Sequence, residues 1–253
     1  MLFLKYLTPQ QLDEGFVPAF PQGKEIFYRT PDYPRYKQFK GHVTGQITPA
    51  QVKRYDRHAA EIAKLLDGTE RVLSLGGGTG ALERRLKLAH PGCTFTVSDI
   101  YEREPVDGVD FSILDMSDAK SVQEAMADHD TVLICNALSP MKIHEAINIF
   151  HAVRSANIQK VIVYSAEDMR PIGAVVTILK RIFKPHRTLW CGYYYNSRFI
   201  KAEAHSSAGL KYHHTWKPQE RGWLTPLWGS TYLSLFTKAE TPRPDVDAQN
   251  LLM

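Results

Sequence analysis

Short apolar runs and longer segments with helical spacing alternate along most of the chain. The short runs are rich in Val and Ile and predict strands at 72–75, 94–98, 111–114, 131–135 and 160–164. The other segments place apolar residues three and four positions apart and predict helices at 48–68, 81–90, 121–128, 141–157, 175–183 and 196–208. Because strands that alternate with helices form parallel sheets covered on both faces, the pattern predicts a Rossmann-like, doubly wound α/β sheet.

The carboxyl-terminal part of the chain departs from this alternation. Two strand-like segments, 212–218 and 231–239, have no long helix between them. Strands joined by a non-helical connection favour antiparallel pairing. The sheet is therefore predicted to be mostly parallel, with an antiparallel pair of strands at its carboxyl-terminal edge.

The same pattern divides the chain into three parts. Residues 1–47 are rich in Pro, Tyr and Lys and show no clean period, which predicts an arm that packs on the main domain or closes over its site. Residues 48–240 form the main domain. Residues 241–253 are expected to be a loose tail.

Composition places the chain among ordinary globular proteins, with 43% hydrophobic and 23% charged residues. No apolar run approaches the roughly 18 residues of a membrane span, so no transmembrane helix is expected. The three cysteines, Cys93, Cys135 and Cys191, are scattered without a CxxC pair. They are interpreted as free thiols of a cytoplasmic protein, with no metal site.

The net charge of +4 is unevenly distributed. Acidic residues dominate 99–130, whereas 170–187 contains basic residues and no acidic ones. The simpler interpretation is two solvated surfaces of opposite sign. The alternative is that 170–187 lies near an anionic substrate or a membrane surface.

A glycine-rich loop, RVLSLGGGTG at 71–80, follows the first strand of the alternating region. Glycine has no Cβ, so such a loop allows a ligand to approach the backbone, and the following helix start supplies free N–H donors. Gly76-x-Gly78-x-x-Ala81 fits the dinucleotide pattern, and Gly76-x-Gly78-x-Gly80 fits a nucleoside form. Asp99 ends the next strand and could accept both ribose hydroxyls of either ligand.

Two further features favour the nucleoside. A short-chain reductase needs a Tyr-x-x-x-Lys pair after the sheet, but the spacings that occur, such as Tyr33–Lys37, precede the glycine loop. In addition, Asp115 and Met116 follow the third strand. An Asp there can accept a hydrogen bond from an adenine amino group, while the Met packs on the ring.

The order of VLSLGGGTG, Ser98-Asp99-Ile100, Leu114-Asp115-Met116 and TVLICNAL resembles the class I S-adenosylmethionine-dependent methyltransferases over roughly residues 48 to 239. It looks most like the small-molecule branch, which implies a seven-stranded sheet of the methyltransferase type and methyl transfer to O or N of a small molecule. The resemblance implies a cofactor site formed by Ser74, Gly76, Gly77, Gly78, Gly80, Asp99, Ile100, Asp115, Met116, Asn136 and Ala137.

The chain also departs from the pattern of that family. The family usually has an acid where Ser74 stands, and that acid helps to position the amino acid end of the cofactor. No Asn/Asp-Pro-Pro-aromatic motif follows the fourth strand, so methylation of a nucleobase or a glutamine amide is not expected.

A neutral acceptor needs a base, and two residues are candidates. His144 begins the helix after the fourth strand, and Glu167 follows the fifth strand. The ordinary alternatives are a surface histidine and a helix-capping carboxylate. The cluster Tyr193–Tyr195 and the helix at 175–183 either wall an acceptor pocket or pack in the core.

Two other functions stay open at this point. The segment from Asp130 to Asp168 also resembles atypical short-chain reductases, which would use NAD(P). A non-catalytic protein on the same fold, binding RNA or a partner through 170–187, is the third possibility.

Overall fold

The computed structural model describes residues 26–28, 49–100, 102, 106–138, 141, 143–166, 193–195, 197–216 and 231–238. The helices are α1 (Pro49–Ala63), α2 (Ala81–Ala89), α3 (Ala119–Met126), α4 (Ile143–Ser155) and α5 (Ser197–Ser206). The strands are β1 (Ile26–Tyr28), β2 (Arg71–Leu75), β3 (Thr94–Asp99), β4 (Asp110–Ile113), β5 (Thr131–Cys135), β6 (Lys160–Ala166), β7 (Tyr193–Tyr195), β8 (Lys211–Trp216) and β9 (Thr231–Thr237).

A seven-stranded sheet forms the centre, with the strand order β4-β3-β2-β5-β6-β9-β8. The five strands from β4 to β6 are parallel to their neighbours, and β9 pairs antiparallel with both β6 and β8. This confirms the α/β class and the antiparallel pair at the carboxyl-terminal end. The finding that the pattern did not predict is the position of β9, which lies between β6 and β8 and leaves β8 at the edge.

Alternating side chains of the strands fill two separate cores. Leu73 of β2 and Val132 of β5 face α3, α4 and α5 on one side. Val72 and Leu133 face α1 and α2 on the other side. The period of two along each strand places Ser74 on the same face as Val72, which puts a polar side chain beneath α2.

The described helices differ from their predicted bounds by up to five residues at either end, as two of them illustrate. α1 begins at Pro49, as the proline suggests, but ends at Ala63 rather than near Gly68. α3 begins at Ala119 because Asp118 caps it, accepting hydrogen bonds from the N–H groups of Lys120 and Ser121.

A second, two-stranded sheet joins the amino-terminal arm to the tyrosine cluster. β1 pairs antiparallel with β7, with Tyr28 opposite Tyr193. Tyr195 is buried, and its hydroxyl donates a hydrogen bond of 2.8 Å to the Met141 carbonyl. Core packing thus accounts for Tyr195. The predicted helix at 175–183 lies outside the described residues.

A buried ion cluster lies at the amino-terminal ends of strands β2 and β6. Lys160 Nζ contacts Glu70 Oε1 at 2.7 Å and Asp67 Oδ2 at 2.6 Å, and the Lys160 side chain is 4% exposed. Burial of Glu70 opposes its ionisation, but the hydrogen bonds from Lys160 and the Asp67 N–H outweigh burial and lower the pKa of Glu70 to about 2. The cluster therefore ties the turn after α1 to β6.

We expect Lys160→Met to lower the free energy of unfolding by about 3–5 kcal/mol, because it leaves the Glu70 carboxylate buried without its cation. Urea denaturation measures this difference. The control is Lys64→Met, which removes an exposed ion pair with Glu61 and should change stability by less than about 1 kcal/mol. Equal losses in both variants would contradict the assignment.

The same cluster predicts a pH dependence of stability. Since the pKa of Glu70 is about 2 in the folded protein against 4.5 as its ordinary value, its contribution is present above about pH 4.5 and is lost as the pH falls towards 2. Glu70→Gln lacks this contribution. The stability difference between the two proteins should therefore shrink steadily between pH 5 and pH 2, as measured by urea denaturation at each pH.

Candidate functional site

A cavity of about 340 Å³ lies at the carboxyl ends of the parallel strands, where α1 covers it. The segments after β2, β3, β4 and β5 all contribute to its wall. This edge is where open α/β sheets bind ligands. The volume falls in the range of small-molecule sites.

The glycine loop forms one wall of the cavity with backbone alone. Gly76 and Gly78 both have a φ of +65°, which favours glycine. A Cβ on Gly76 would lie 2.8 Å from Ala137 Cβ, and one on Gly77 would lie 2.8 Å from Val97 Cγ1. The loop is thus held so closely against its neighbours that no side chain fits at these two positions.

Two carboxylates belong to the cavity wall. Asp99 is the last residue of β3, and its Oδ2 lies 3.9 Å from the position that a Cβ on Gly78 would take. Asp115 follows β4, and its Oδ1 accepts hydrogen bonds from the N–H and the hydroxyl of Ser117, at 3.0 and 2.7 Å. This turn holds the Asp115 carboxylate at the wall.

The segment after β5 completes the far wall. Asn136 has a φ of +56°, a conformation that Asn tolerates better than most residues, and its N–H donates to the Tyr164 carbonyl at 2.7 Å. Ala137 packs against Gly76. The turn therefore depends on close contact with both β6 and the glycine loop.

Most of the cofactor residues predicted from the sequence come together at this cavity. Those that line it are Gly76, Gly77, Gly78, Asp99, Ile100, Asp115, Met116, Asn136 and Ala137. Gly80 has a φ of +69° and precedes the first residue of α2, so it shapes the turn. Ser74 is fully buried beneath the loop, where its hydroxyl donates to Glu83 Oε1 at 2.6 Å.

The two predicted bases are placed differently. His144 is exposed in the first turn of α4 and is not among the residues that line the cavity. Glu167 lies outside the described residues.

Several residues that line the cavity were not predicted from the sequence. α1 supplies Arg54, Tyr55 and His58. His58 is 2% exposed, and its ring centroid lies 4.1 Å from that of Tyr164, which also lines the cavity. The available signal was weak: His58 directly precedes Ala59 in the apolar stripe of α1.

Glu83 is another residue that sequence reasoning missed. It lies in the first turn of α2 and is fully buried at the cavity wall. Burial raises the pKa of Glu83 to about 7, although hydrogen bonds from Ser74 and from its own N–H act in the opposite direction. An acidic residue in the first turn of a helix is ordinarily exposed and interacts favourably with the helix dipole. The position of Glu83 in the sequence therefore did not indicate that it is buried.

The described residues fit a nucleoside cofactor. The glycine wall presents backbone without side chains to the cavity, and Asp99 and Asp115 offer acceptors for sugar hydroxyls and a base amino group. Within the described residues, no group of three or more His, Cys, Asp or Glu side chains is placed to hold a metal ion. No described helix is long and apolar enough to cross a membrane.

Comparisons with solved structures agree with this fold. The 1,6-didemethyltoxoflavin N1-methyltransferase of Burkholderia thailandensis, solved with 1,6-didemethyltoxoflavin and S-adenosylhomocysteine, matches with a TM-score of 0.58 at 12% identity, over 88% of this chain and 99% of that one. The magnesium protoporphyrin IX methyltransferase of Synechocystis, solved with S-adenosylhomocysteine, matches with a TM-score of 0.51 at 17% identity, over 82% and 94%.

Mitomycin 7-O-methyltransferase matches with a TM-score of 0.52 at 19% identity. The match covers 81% of this chain and 60% of that protein. No protein-family model and no curated protein sequence matches the chain. At these identities the similarities establish the fold alone. The chain has the class I methyltransferase fold, and the inserted antiparallel β9 belongs to that arrangement.

The contacts of the loop predict how two glycines respond to substitution. Gly209→Ala adds a side chain at a φ of +67° with nothing within 4 Å, so it should cost about 1–2 kcal/mol of backbone strain. Gly76→Ala has the same strain and also a collision with Ala137 Cβ, so it should cost about 1–3 kcal/mol more. Chemical denaturation compares the two variants, and equal costs would show that the loop is loosely packed.

Proposed function

We propose that the protein transfers a methyl group from S-adenosylmethionine to O or N of a small molecule that is apolar, aromatic or anionic. The observation that carries the proposal is the junction of the side-chain-free wall at Gly76–Gly78 with Asp99 and Asp115 in one cavity. The fold supports it, because structures with this fold were solved with S-adenosylmethionine or S-adenosylhomocysteine bound.

Each part of the cavity suits one part of this cofactor. Asp99 can accept hydrogen bonds from both ribose hydroxyls, and Asp115 can accept one from the adenine amino group while Met116 packs on the ring. Ile100 lies beside Asp99, on the same side of the cavity. Asn136 and Ala137 would then hold the methionine end.

The chemistry asks little of the protein beyond alignment. When bound, the cofactor supplies a methyl group on a sulfonium, which is already a good leaving group. The side chains of the cavity hold the acceptor in line and exclude water, and such positioning can supply about 7–11 kcal/mol of the barrier.

The acceptor side of the cavity combines aromatic and cationic groups. Tyr55, His58 and Tyr164 line it together with Arg54, a combination that suits an aromatic or anionic acceptor. His58 is a described imidazole that lines the cavity, so we place proton removal from the acceptor there rather than at the exposed His144. Glu167 stays a prediction.

The rival functions have less support. The chain lacks a Tyr-x-x-x-Lys pair after the glycine loop, and its inserted antiparallel β9 differs from the mostly parallel sheet of dinucleotide enzymes. Binding of RNA, a partner or a membrane surface rests on 170–187, which lies outside the described residues.

We also propose the division of the chain into an arm at 1–47, a catalytic domain at 48–240 and a tail at 241–253. The pairing of β1 with β7 supports the first part, because Tyr195 of β7 holds the carbonyl of Met141, which lines the cavity. The free thiols of Cys93 and Cys135 suit a reducing, cytoplasmic location.

Calorimetry with S-adenosylhomocysteine tests the proposed cofactor, and we expect saturable binding. Absence of heat with both S-adenosylhomocysteine and S-adenosylmethionine would contradict the proposal. Enhanced fluorescence of added NADPH would instead support a reductase.

Asp99→Asn should weaken the binding of S-adenosylhomocysteine by about 10–100-fold, because hydrogen bonds to a carboxylate contribute about 1.5–3 kcal/mol. The measurement is the dissociation constant by calorimetry. The matched control is Asp128→Asn, which changes an exposed acid after α3 and should bind as the unmodified protein does. An unchanged constant in Asp99→Asn would remove Asp99 from the cofactor site.

A further inference from the structure

A buried carboxyl group at the cavity wall has no complete set of partners. Glu83 is 0% exposed, and its Oε1 accepts the hydrogen bond from Ser74. Its Oε2 makes no hydrogen bond to any described residue. Buried polar atoms are almost always hydrogen-bonded, so this oxygen calls for an explanation.

The carboxyl group lies directly behind the glycine loop. A Cβ on Gly77 would lie 3.0 Å from Glu83 Oε1 and 3.1 Å from Ser74 Oγ. Both side chains therefore occupy the space beneath Gly77, and Glu83 also belongs to the cavity wall. A charge on Glu83 acts on a bound ligand at this wall, in a setting that screens it weakly.

A structural role does not account for the acid. Removing a carboxylate from water without a cation costs stability, and a neutral side chain of similar shape would serve packing better. The buried acid Glu70, at the other ends of the strands, differs from Glu83 because it forms an ion pair with Lys160. At Glu83, no described cation lies within ion-pair distance.

We propose that Glu83 is a positioning carboxylate. Its negative charge favours binding of S-adenosylmethionine, whose sulfur is positively charged, over binding of the product S-adenosylhomocysteine, whose sulfur is neutral. The inference rests on the proposed function. In the transfer, the C–S bond breaks, its electron pair stays on sulfur, and the methyl carbon bonds to O or N of the acceptor. The sulfur thereby loses its positive charge. The attraction between Glu83 and the sulfur is therefore weaker in the product complex, which favours product release.

The position of the acid within the cavity agrees with this role. With adenine held by Asp115 and ribose by Asp99, the sulfur would lie beyond the ribose, on the side of the cavity where the glycine loop and Glu83 form the wall. Cys135 lines the same region, and burial together with the charge of Glu83 raises the pKa of its thiol. The thiol therefore stays neutral and does not compete as an anion.

Because the pKa of Glu83 is about 7, its charge changes near neutral pH. A cation at the cavity favours the ionised form, so binding of S-adenosylmethionine should release protons, and binding of S-adenosylhomocysteine should release fewer. Other charged or titratable groups face the same cavity. They are Arg54, Tyr55 and His58 from α1, Asp99 at the end of β3, Asp115 after β4, Cys135 from β5 and Tyr164 from β6.

The experiment measures the dissociation constants of both ligands by calorimetry at pH 6, 7 and 8. In the unmodified protein, we expect the preference for S-adenosylmethionine over S-adenosylhomocysteine to rise by about tenfold from pH 6 to pH 8, one pKa unit of coupling. Titrations in buffers of different ionisation enthalpy count the protons released at pH 7.

Glu83→Gln keeps a hydrogen-bonding partner for Ser74 and removes the charge. We expect its preference between the two ligands to be independent of pH and lower than that of the unmodified protein at pH 8. Two controls follow the same protocol: Glu124→Gln, at an exposed acid of α3, and His58→Gln, at the imidazole that faces the cavity. Both should keep the rise with pH.

A double variant, Ser74→Asp with Glu83→Ser, returns an acid to β2 beneath the same loop. It should recover part of the pH-dependent preference, which a purely structural role of Glu83 does not predict. Folding is checked by thermal unfolding without ligand. Since a raised pKa lowers stability as the pH rises from 4.5 to about 7, Glu83→Gln should melt at a higher temperature than the unmodified protein at pH 8.

The outcomes separate the two proposals. If the unmodified protein binds neither ligand, the proposed function fails. If it binds both but the preference is the same in Glu83→Gln, or follows His58→Gln instead, the inference about Glu83 is wrong while the methyltransferase proposal stands.

Discussion

The absence of side chains at Gly76 and Gly77 is the constraint on which the rest of the structure depends. A Cβ at either position would lie 2.8 Å from Ala137 Cβ or Val97 Cγ1, so the loop can only lie here as glycine. This close approach packs the loop after β2 against Val97 of β3 and against Ala137, which follows β5. Because the strands are parallel, their ends meet at one edge, and the residues that follow them surround a single cavity.

Buried acids have opposite surroundings at the two ends of the parallel strands. At the amino-terminal ends, Lys160 pairs with Glu70. This pairing lowers the pKa of Glu70 to about 2 and joins segments that are distant along the chain. At the carboxyl ends of the strands, Glu83 has Ser74 and its own backbone as its only hydrogen-bond partners among the described residues, and burial raises its pKa to about 7. Satisfied charges stabilise, whereas strained or incompletely satisfied groups concentrate at functional sites.

Residues that follow strands were the predictable part of the site. Asp99 ends a strand, and Asp115 and Asn136 follow within two residues of a strand end. Strand ends meet in a parallel sheet whatever the details of packing. Residues on helices were not predictable in this way, because a small rotation of a helix decides which side chain faces the cavity. His144 is exposed although its helix begins near the site, whereas His58 of α1 is buried against Tyr164.

The sequence by itself determined the parallel α/β core, the glycine loop and the carboxylates after the strands, since these depend on local periodicity and on the lack of a Cβ. Only the tertiary structure decided that β9 lies between β6 and β8, that β1 pairs with β7 and that Glu83 meets Ser74 beneath the loop. These features join residues distant along the chain or on different elements. They are stabilised by strand pairing and by burial between distant segments, which a local sequence pattern does not predict.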